Sequence, residues 1–328
     1  MTNLKSTYMG IELDSPLVVA ASSISSYIDR IELAERSGAG ALVIRSLFEE
    51  QIQFDALRMQ DELSVGSDSF AEALSYFPGM KHGQADEHLM WIEKARAAIG
   101  MPLIASLNAV TPGSWAKYAK QLEATGVDGL ELNAYAVATD LNKPGDALVK
   151  DHLAIAEAVK GDVSIPVAVK LSPFYTSTVN VAKELAGRGL DGLVLFNRFL
   201  QPDIDPVLEE LSSEMVYSSP EEMKLPLRFI ALLYGRIEAD LALSTGVHSG
   251  LDAVKALLAG AQVVQTASAL LQNGIPYLST MLREIEGWMA EKGYESLEDF
   301  RGKLSQKEAL DPFAFERAQY VNLLLSQK

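Results

Sequence analysis

The sequence predicts a (β/α)8 TIM barrel with an N-terminal hairpin and a C-terminal helical extension. Three observations predict it: short apolar strands recur about eight times, helical segments of 3.6-residue periodicity separate them, and several strands repeat one pattern. "GAGALVIRS" (38–46), "GVDGLELNA" (126–134), "GLDGLVLFN" (189–197) and "GAQVVQTAS" (260–268) share that pattern. Each opens with Gly at a helix end, runs through a short apolar strand and stops on a polar residue. The Gly fits the left-handed position that follows a helix, and the apolar run fits a parallel strand buried on both faces. A doubly wound open sheet is the rival arrangement.

The elements follow in order. "LKSTYMGIELDSP" near the N-terminus reads as a hairpin turned at Met9-Gly10, placed to plug the barrel bottom. The remaining strands are "PLVVAAS" (16–22), "MPLIASLN" (101–108), "IPVAVKLS" (165–172) and "ADLALSTG" (239–246). Helical periodicity appears near 27–37, 86–98, 114–125, 150–160, 177–188, 223–236 and 250–259, and 276–326 reads as further helix. Two connections, 47–85 and 198–222, are long enough to act as lids or binding loops over the C-terminal mouth. No linker or low-complexity segment divides the chain, so 1–328 reads as a single domain.

Composition narrows the function. The chain has 328 residues, 48% of them hydrophobic and 22% charged, a balance ordinary for a globular protein. It has no Cys, which excludes disulfides, thiolate metal sites and a cysteine nucleophile and is compatible with the cytoplasm. The four His are not spaced as a metal site. The N-terminus lacks the apolar core of a signal peptide, and no run approaches a membrane span. A formal net charge of −16 would repel nucleic acid and anionic lipid, so the expected ligand is a small molecule held by local groups.

In a barrel, polar residues at the C-terminal strand ends face the site. Those ends read Ala20-Ala21-Ser22, Arg45-Ser46, Ser106 with Asn108, Asn133, Lys170 with Ser172, Asn197, Ser244-Thr245-Gly246, and Thr266-Ala267-Ser268. Lys170 points most strongly to chemistry, because a charge ending an apolar strand is costly without a partner. Alternatively it snorkels to solvent. Asn133 and Asn197 read either as ligand readers or as caps of the following turn. Arg45 reads as a site cation or as an ion pair with Glu49 or Glu50. The last two strand ends, "LSTGVHSG" and "QTASALLQNG", lead into helices and suit a phosphate. His248 and His82 read chiefly as loop residues.

These segments together resemble the dihydroorotate dehydrogenase family and the flavin domain of dihydropyrimidine dehydrogenase. "PLIASLNAVTPGSWAKYAKQLEATGVDGLELN", "IPVAVKLSP" and "STGVHSGLDAVKALLAGAQVVQTASAL" carry the resemblance, which runs from about Leu13 to Leu271. It implies FMN at the barrel mouth and hydride exchange with a dihydropyrimidine-like substrate. It implies that Ala20 and Ala21 lie against the isoalloxazine, that Ser46 and Asn108 join the flavin site, and that Asn133 approaches flavin and substrate. It further implies that Lys170 stabilises reduced flavin, that Asn197 binds substrate, and that Thr245, Gly246, Ala267 and Ser268 hold the phosphate. A homodimer is implied in the same way; the electron acceptor is not.

The departures from the family pattern are specific. Arg45 stands where the family has Lys, and the two are not interchangeable. "STGV" and "TASA" replace loops richer in Gly. Ala136 and Ala138 stand where the family carries its Cys or Ser base and a polar substrate reader. No Asn–Gly substrate reader appears in "SYFPGMKHGQAD". Tyr135, Ser172 and His82 are the candidates to substitute for it as acid or base, each by its expected place at the mouth. Two further functions remain alternatives: a flavin-binding protein without dihydroorotate turnover, and a Schiff-base lyase that uses Lys170.

Overall fold

The computed structural model describes residues 2–48, 85–108, 115–133, 138–199, 201–212, 216–316, 320–321 and 324–325. A hairpin of β1 (Ser6–Tyr8) and β2 (Ile11–Leu13) comes first, turned at Met9-Gly10 as the sequence predicts. The barrel strands are β3 (Leu17–Val19), β4 (Ala41–Val43), β6 (Leu103–Asn108), β7 (Gly129–Leu132), β8 (Val167–Leu171), β9 (Gly192–Leu195), β12 (Asp240–Ser244) and β13 (Val263–Thr266). All pair in parallel, and the β3–β4, β4–β6 and β13–β3 pairings close the circle. This closure excludes the open doubly wound sheet. A short strand β5 (Leu47–Phe48) adds to the upper edge of β6.

Helices wrap the strands: α1 (Ile28–Arg36), α2 (Ala85–Ala98), α3 (Trp115–Ala124), α4 (Gly145–Asp162), α5 (Thr178–Ala186), α6 (Lys224–Leu233), α7 (Gly250–Ala259), α8 (Ser268–Asn273) and α9 (Tyr277–Lys292). Their boundaries follow local chemistry. The Ser249 hydroxyl accepts the Asp252 N–H at 3.1 Å to start α7, and Gly260 ends it at φ 117°. α9 stops at Gly293, whose φ is 76°, and short turns follow where the apolar pattern suggested more helix. The connection after β9 contains a hairpin of β10 (Asp203–Asp205) and β11 (Glu210–Ser212) that periodicity did not reveal.

Strand alternation sorts the core into two clusters. Outward residues such as Leu42, Leu130, Val169 and Leu193 pack under the helices. Inward residues such as Val18, Val43, Ile104, Ala168, Val194 and Ala242 pack on Tyr8 and Met9, which rise from the hairpin as a plug. The plug is pinned by Met9 N–H to Asp240 Oδ2 at 2.7 Å and by Ser6 Oγ to the Gln262 carbonyl at 2.7 Å. Buried Arg301 adds a bond to Ser6 Oγ at 3.0 Å. The lower barrel is thereby sealed, and the upper end is left for polar groups.

Gly40 shows how tightly the lower rim closes. A Cβ there would stand 2.0 Å from the Ser15 carbonyl oxygen. Gly40→Ala is expected to destabilise the fold by ~1–3 kcal/mol, since backbone on both sides must shift. Urea unfolding checks this, and an unchanged midpoint would contradict the packing described.

Candidate active site at the barrel mouth

The inward face changes character one layer above the plug. Ala168 is followed inward by Lys170, Val263 by Gln265, Ile104 by Ser106, and Gly129 by Glu131. Lys170, Glu131 and Gln265 are all buried, Glu131 and Gln265 to 1% exposure. Lys170 Nζ lies 3.3 Å from Glu131 Oε1 and donates to Gln265 Oε1 at 3.0 Å. Gln265 Nε2 donates to Glu131 Oε2 at 2.5 Å, which closes a three-membered cluster inside the barrel. An ammonium has three donors. Two are engaged within this cluster, which leaves a third for the cavity that Lys170 lines. Below the cluster sits the Tyr8 hydroxyl, whose pKa is driven well above its ordinary value by burial and by the Glu131 and Asp240 carboxylates.

A second network joins three strand ends. Asn133 Nδ2 donates to Ser106 Oγ at 2.8 Å and to Ser46 Oγ at 3.0 Å, and the two serines lie 2.8 Å apart. Asn197 Nδ2 reaches Asn133 Oδ1 at 3.4 Å. The carboxamides are therefore held by protein partners rather than acting as isolated caps, and Asn197 links them to the cavity beside Lys170. Asn108 is buried at the end of β6.

The cavity itself gathers Ala20, Ala21, Lys170, Asn197, Thr245, Gly246, Ala267 and Ser268 from separate parts of the chain. The described walls enclose about 190 Å³. Thr245 and Gly246 both have positive φ, 83° and 78°. For a β-branched residue such a φ is a strained outlier. The Thr245 hydroxyl donates to the Phe196 carbonyl at 3.1 Å, which helps hold the residue there. Ser218 closes this end: its N–H donates to Ser268 Oγ at 3.2 Å, and its hydroxyl lies 3.1 Å from His248 Nε2. Arg198 fastens the same connection, donating from Nε to Glu222 at 2.8 Å and also to the carbonyls of Val216 and Tyr217.

Not every expected residue joins this cavity. The Arg45 side chain is exposed and does not line it, while its backbone N–H donates to Ser25 Oγ at 2.9 Å. Its charge acts instead on His88 of α2, whose pKa burial and Arg45 together lower to about 4. The expectations for Tyr135, Ala136, His82 and the Glu49 or Glu50 ion pair lie outside the described residues. Among the described residues, no group of three or more His, Cys, Asp or Glu could hold a metal, and no helix is long and apolar enough to cross a membrane.

Glu131 and Gln265 are the site residues that strand-end reading missed. The signal was in the period of two: counting back from Asn133 gives Glu131, an acid in a strand buried on both faces. A lysine alone in this position would be an uncompensated buried charge. Glu131→Leu is therefore expected to cost ~3–5 kcal/mol, and the double variant Glu131→Leu with Lys170→Met to recover most of it. Urea unfolding of the three proteins tests the pairing; a double variant no more stable than Glu131→Leu alone would refute it.

The geometry thus offers one buried cation under a small-residue floor, with a strained, Gly-containing turn at the far end. Comparison with known proteins places that geometry in a family. The family model described as dihydroorotate dehydrogenase matches residues 74–289. The chain is 27% identical over 309 residues to the protein named dihydroorotate dehydrogenase B (NAD(+)), catalytic subunit, of Methanothermobacter thermautotrophicus, covering 91% of this chain and 97% of that one. It is 31% identical over 214 residues to the putative dihydroorotate dehydrogenase A (fumarate) of Aeropyrum pernix, covering 62% of this chain and 67% of that one. A catalytic subunit of the B type from Thermoplasma acidophilum is 25% identical over 312 residues, covering 92% and 99%. With the family model spanning well over half of its length, the chain belongs to the dihydroorotate dehydrogenase family.

Proposed function

We propose that this protein is an FMN-dependent oxidoreductase that moves hydride between the flavin and a CH–CH bond of a small, dihydropyrimidine-like ring. The observation that carries the reading is Lys170, a buried ammonium held by Glu131 and Gln265 at the base of the mouth cavity. The fit to FMN rests on three features of the cavity. Ala20 and Ala21 give it a wall without bulk, Lys170 gives it a cation with a donor to spare, and Thr245, Gly246, Ala267 and Ser268 line it with small residues that let a ligand approach the backbone. When bound, FMN supplies the hydride acceptor and donor.

The remaining work belongs to the protein's own side chains. Lys170, itself buried, would supply a positive charge to stabilise the reduced ring. Asn133, fixed by Ser46 and Ser106, and Asn197 orient the substrate ring. Thr245, Gly246, Ala267 and Ser268 would hold the phosphate, and Ser218, bonded to Ser268 and close to His248, lines the same cavity. A Schiff-base role for Lys170 fits poorly, because a Schiff base needs a neutral amine and this one is salt-bridged to a buried carboxylate. The single-domain organisation, the homodimer and the cytoplasmic setting expected from the sequence belong to the same reading.

Proton transfer is where the chain departs from its family. Ala136 has no group that could accept a proton, and loss of a positioned base costs ~10²–10⁴-fold in rate. Among the described residues, Ser172 is the nearest replacement. It is buried at the end of β8 and accepts the Phe174 N–H at 3.1 Å, which leaves a second lone pair on its Oγ to accept a proton.

Two measurements test the reading. Purified protein incubated with FMN is expected to take up one flavin and turn yellow; failure to bind FMN would overturn the proposal. Anaerobic titration with dihydroorotate is expected to reduce the bound flavin slowly, and Ala136→Cys to speed it by about 10²-fold or more. A variant that binds FMN without any gain would show that the missing base is not the main defect.

A further inference from the structure

Beside the cavity lies a larger concavity, about 960 Å³, between α4 and α5. That is the size of a pocket for a drug-sized ligand. Its walls are mostly apolar and aromatic, with Phe174, Tyr175 and Phe199 prominent. Phe174 is 73% exposed and meets the half-buried Phe199 edge to face at 5.2 Å, so one aromatic ring stands open to solvent at the groove. No residue lines both groove and cavity, but neighbours in sequence line one each. Lys170 of β8 lines the cavity, and Ser172, two residues on, lines the groove. After β9, Asn197 and Arg198 line the cavity, and Phe199 lines the groove.

The polar groups select the kind of ligand. Four charged side chains line the groove, and they neutralise one another: Lys150 lies 3.4 Å from Asp146, and Arg188 lies 2.9 Å from Glu184. Arg188 also reaches Glu157 at 3.4 Å. His152 is kept uncharged by burial, its pKa lowered, and its Nδ1 lies 3.0 Å from the Tyr175 hydroxyl. Among the described residues, each charged side chain lining the groove has a partner of opposite sign, and the other polar groups there, Ser172, Thr176, Ser177, Asn180 and Gln201 with the His152–Tyr175 pair, are uncharged. Ala138 also lines the groove. It stands where a polar substrate reader was expected from the family pattern, and its methyl group extends the apolar wall instead.

We propose that the groove receives an uncharged aromatic or branched aliphatic substituent carried by the substrate ring, so that the substrate is a hydrophobically substituted ring rather than a carboxylate-bearing one. The proposal rests on the flavin reading above, because it takes the reacting ring to lie against the flavin held in the neighbouring cavity. The exchange of polar readers for alanine and the open aromatic wall then have one cause: the part of the substrate that leaves the ring is apolar.

The test uses protein loaded with FMN and four probes: uracil, orotate, 5-benzyluracil and 6-benzyluracil. Calorimetry reads their affinities, and visible absorbance separately reads flavin uptake. At least one benzyl probe is expected to bind about tenfold or more tightly than uracil, with orotate gaining nothing. Ala138→Trp, which fills the groove from an exposed position, is expected to abolish that gain while FMN uptake is unchanged. Phe174→Ala is expected to reduce the gain in part. Benzyl probes that bind no better than uracil, or a gain that survives Ala138→Trp, would overturn the groove proposal. Failure to take up FMN would instead overturn the flavin reading on which it rests.

Discussion

The Glu131–Lys170 pair is the constraint around which the upper barrel is arranged. Two opposite charges lie inside a closed ring of strands, and desolvating them is costly unless each finds full compensation. The carboxylate meets the ammonium through one oxygen and the Gln265 amide through the other, while the Gln265 carbonyl oxygen takes a second ammonium proton. Each member therefore fixes the other two. The result is a cation that is held without being consumed, with one donor left for whatever occupies the cavity above. In a protein with a formal net charge of −16, such a local cation is what makes an electron-rich or anionic ligand acceptable.

The lower half of the barrel makes this arrangement affordable. Tyr8 and Met9 fill the bottom and pack on small inward residues, so water has no route to the charges from below. Above the cluster, the serine and asparagine network ties β6, β7 and the ends of β4 and β9 together. The site is thereby mounted on strand ends rather than on loops alone, which suits a function that demands fixed donors. Strain is concentrated at Thr245, whose left-handed backbone would be unremarkable for glycine and is supported here by its own hydroxyl.

Much of this was legible in the sequence because closed parallel barrels write themselves as buried strands of period two between helices of period 3.6. The eight strands, the plug hairpin and the polar strand ends could be read directly. Glu131 and Gln265 were passed over because both sit within apolar runs, where strand-end reading does not look; only alternation combined with barrel closure turns them toward Lys170. Arg45 illustrates a different limit of sequence position. It ends a strand as Lys170 does, yet its side chain is exposed, because sequence position gives no account of how far a long cation reaches. The β10–β11 hairpin is short and largely exposed, so it leaves no burial pattern to detect. The aromatic groove was invisible for a different reason: Ala138, His152, Phe174 and Phe199 meet only through the packing of α4 beside α5.

Family membership and mechanism then part company at one turn. The strand ending in Asn133 keeps a buried carboxamide at the barrel mouth, while Ala136 and Ala138 in the sequence that follows carry no polar side-chain group. The structure answers with an apolar groove on that side, and the cation on the other side remains in place. The account's central claim is that Lys170 is the charge that governs the flavin. Its most direct test is the midpoint potential of bound FMN, measured against reference dyes in the unmodified protein and in Lys170→Met. The account predicts a lower potential in the variant, because reduced flavin loses its stabilising cation; equal potentials in the two flavin-loaded proteins would contradict it.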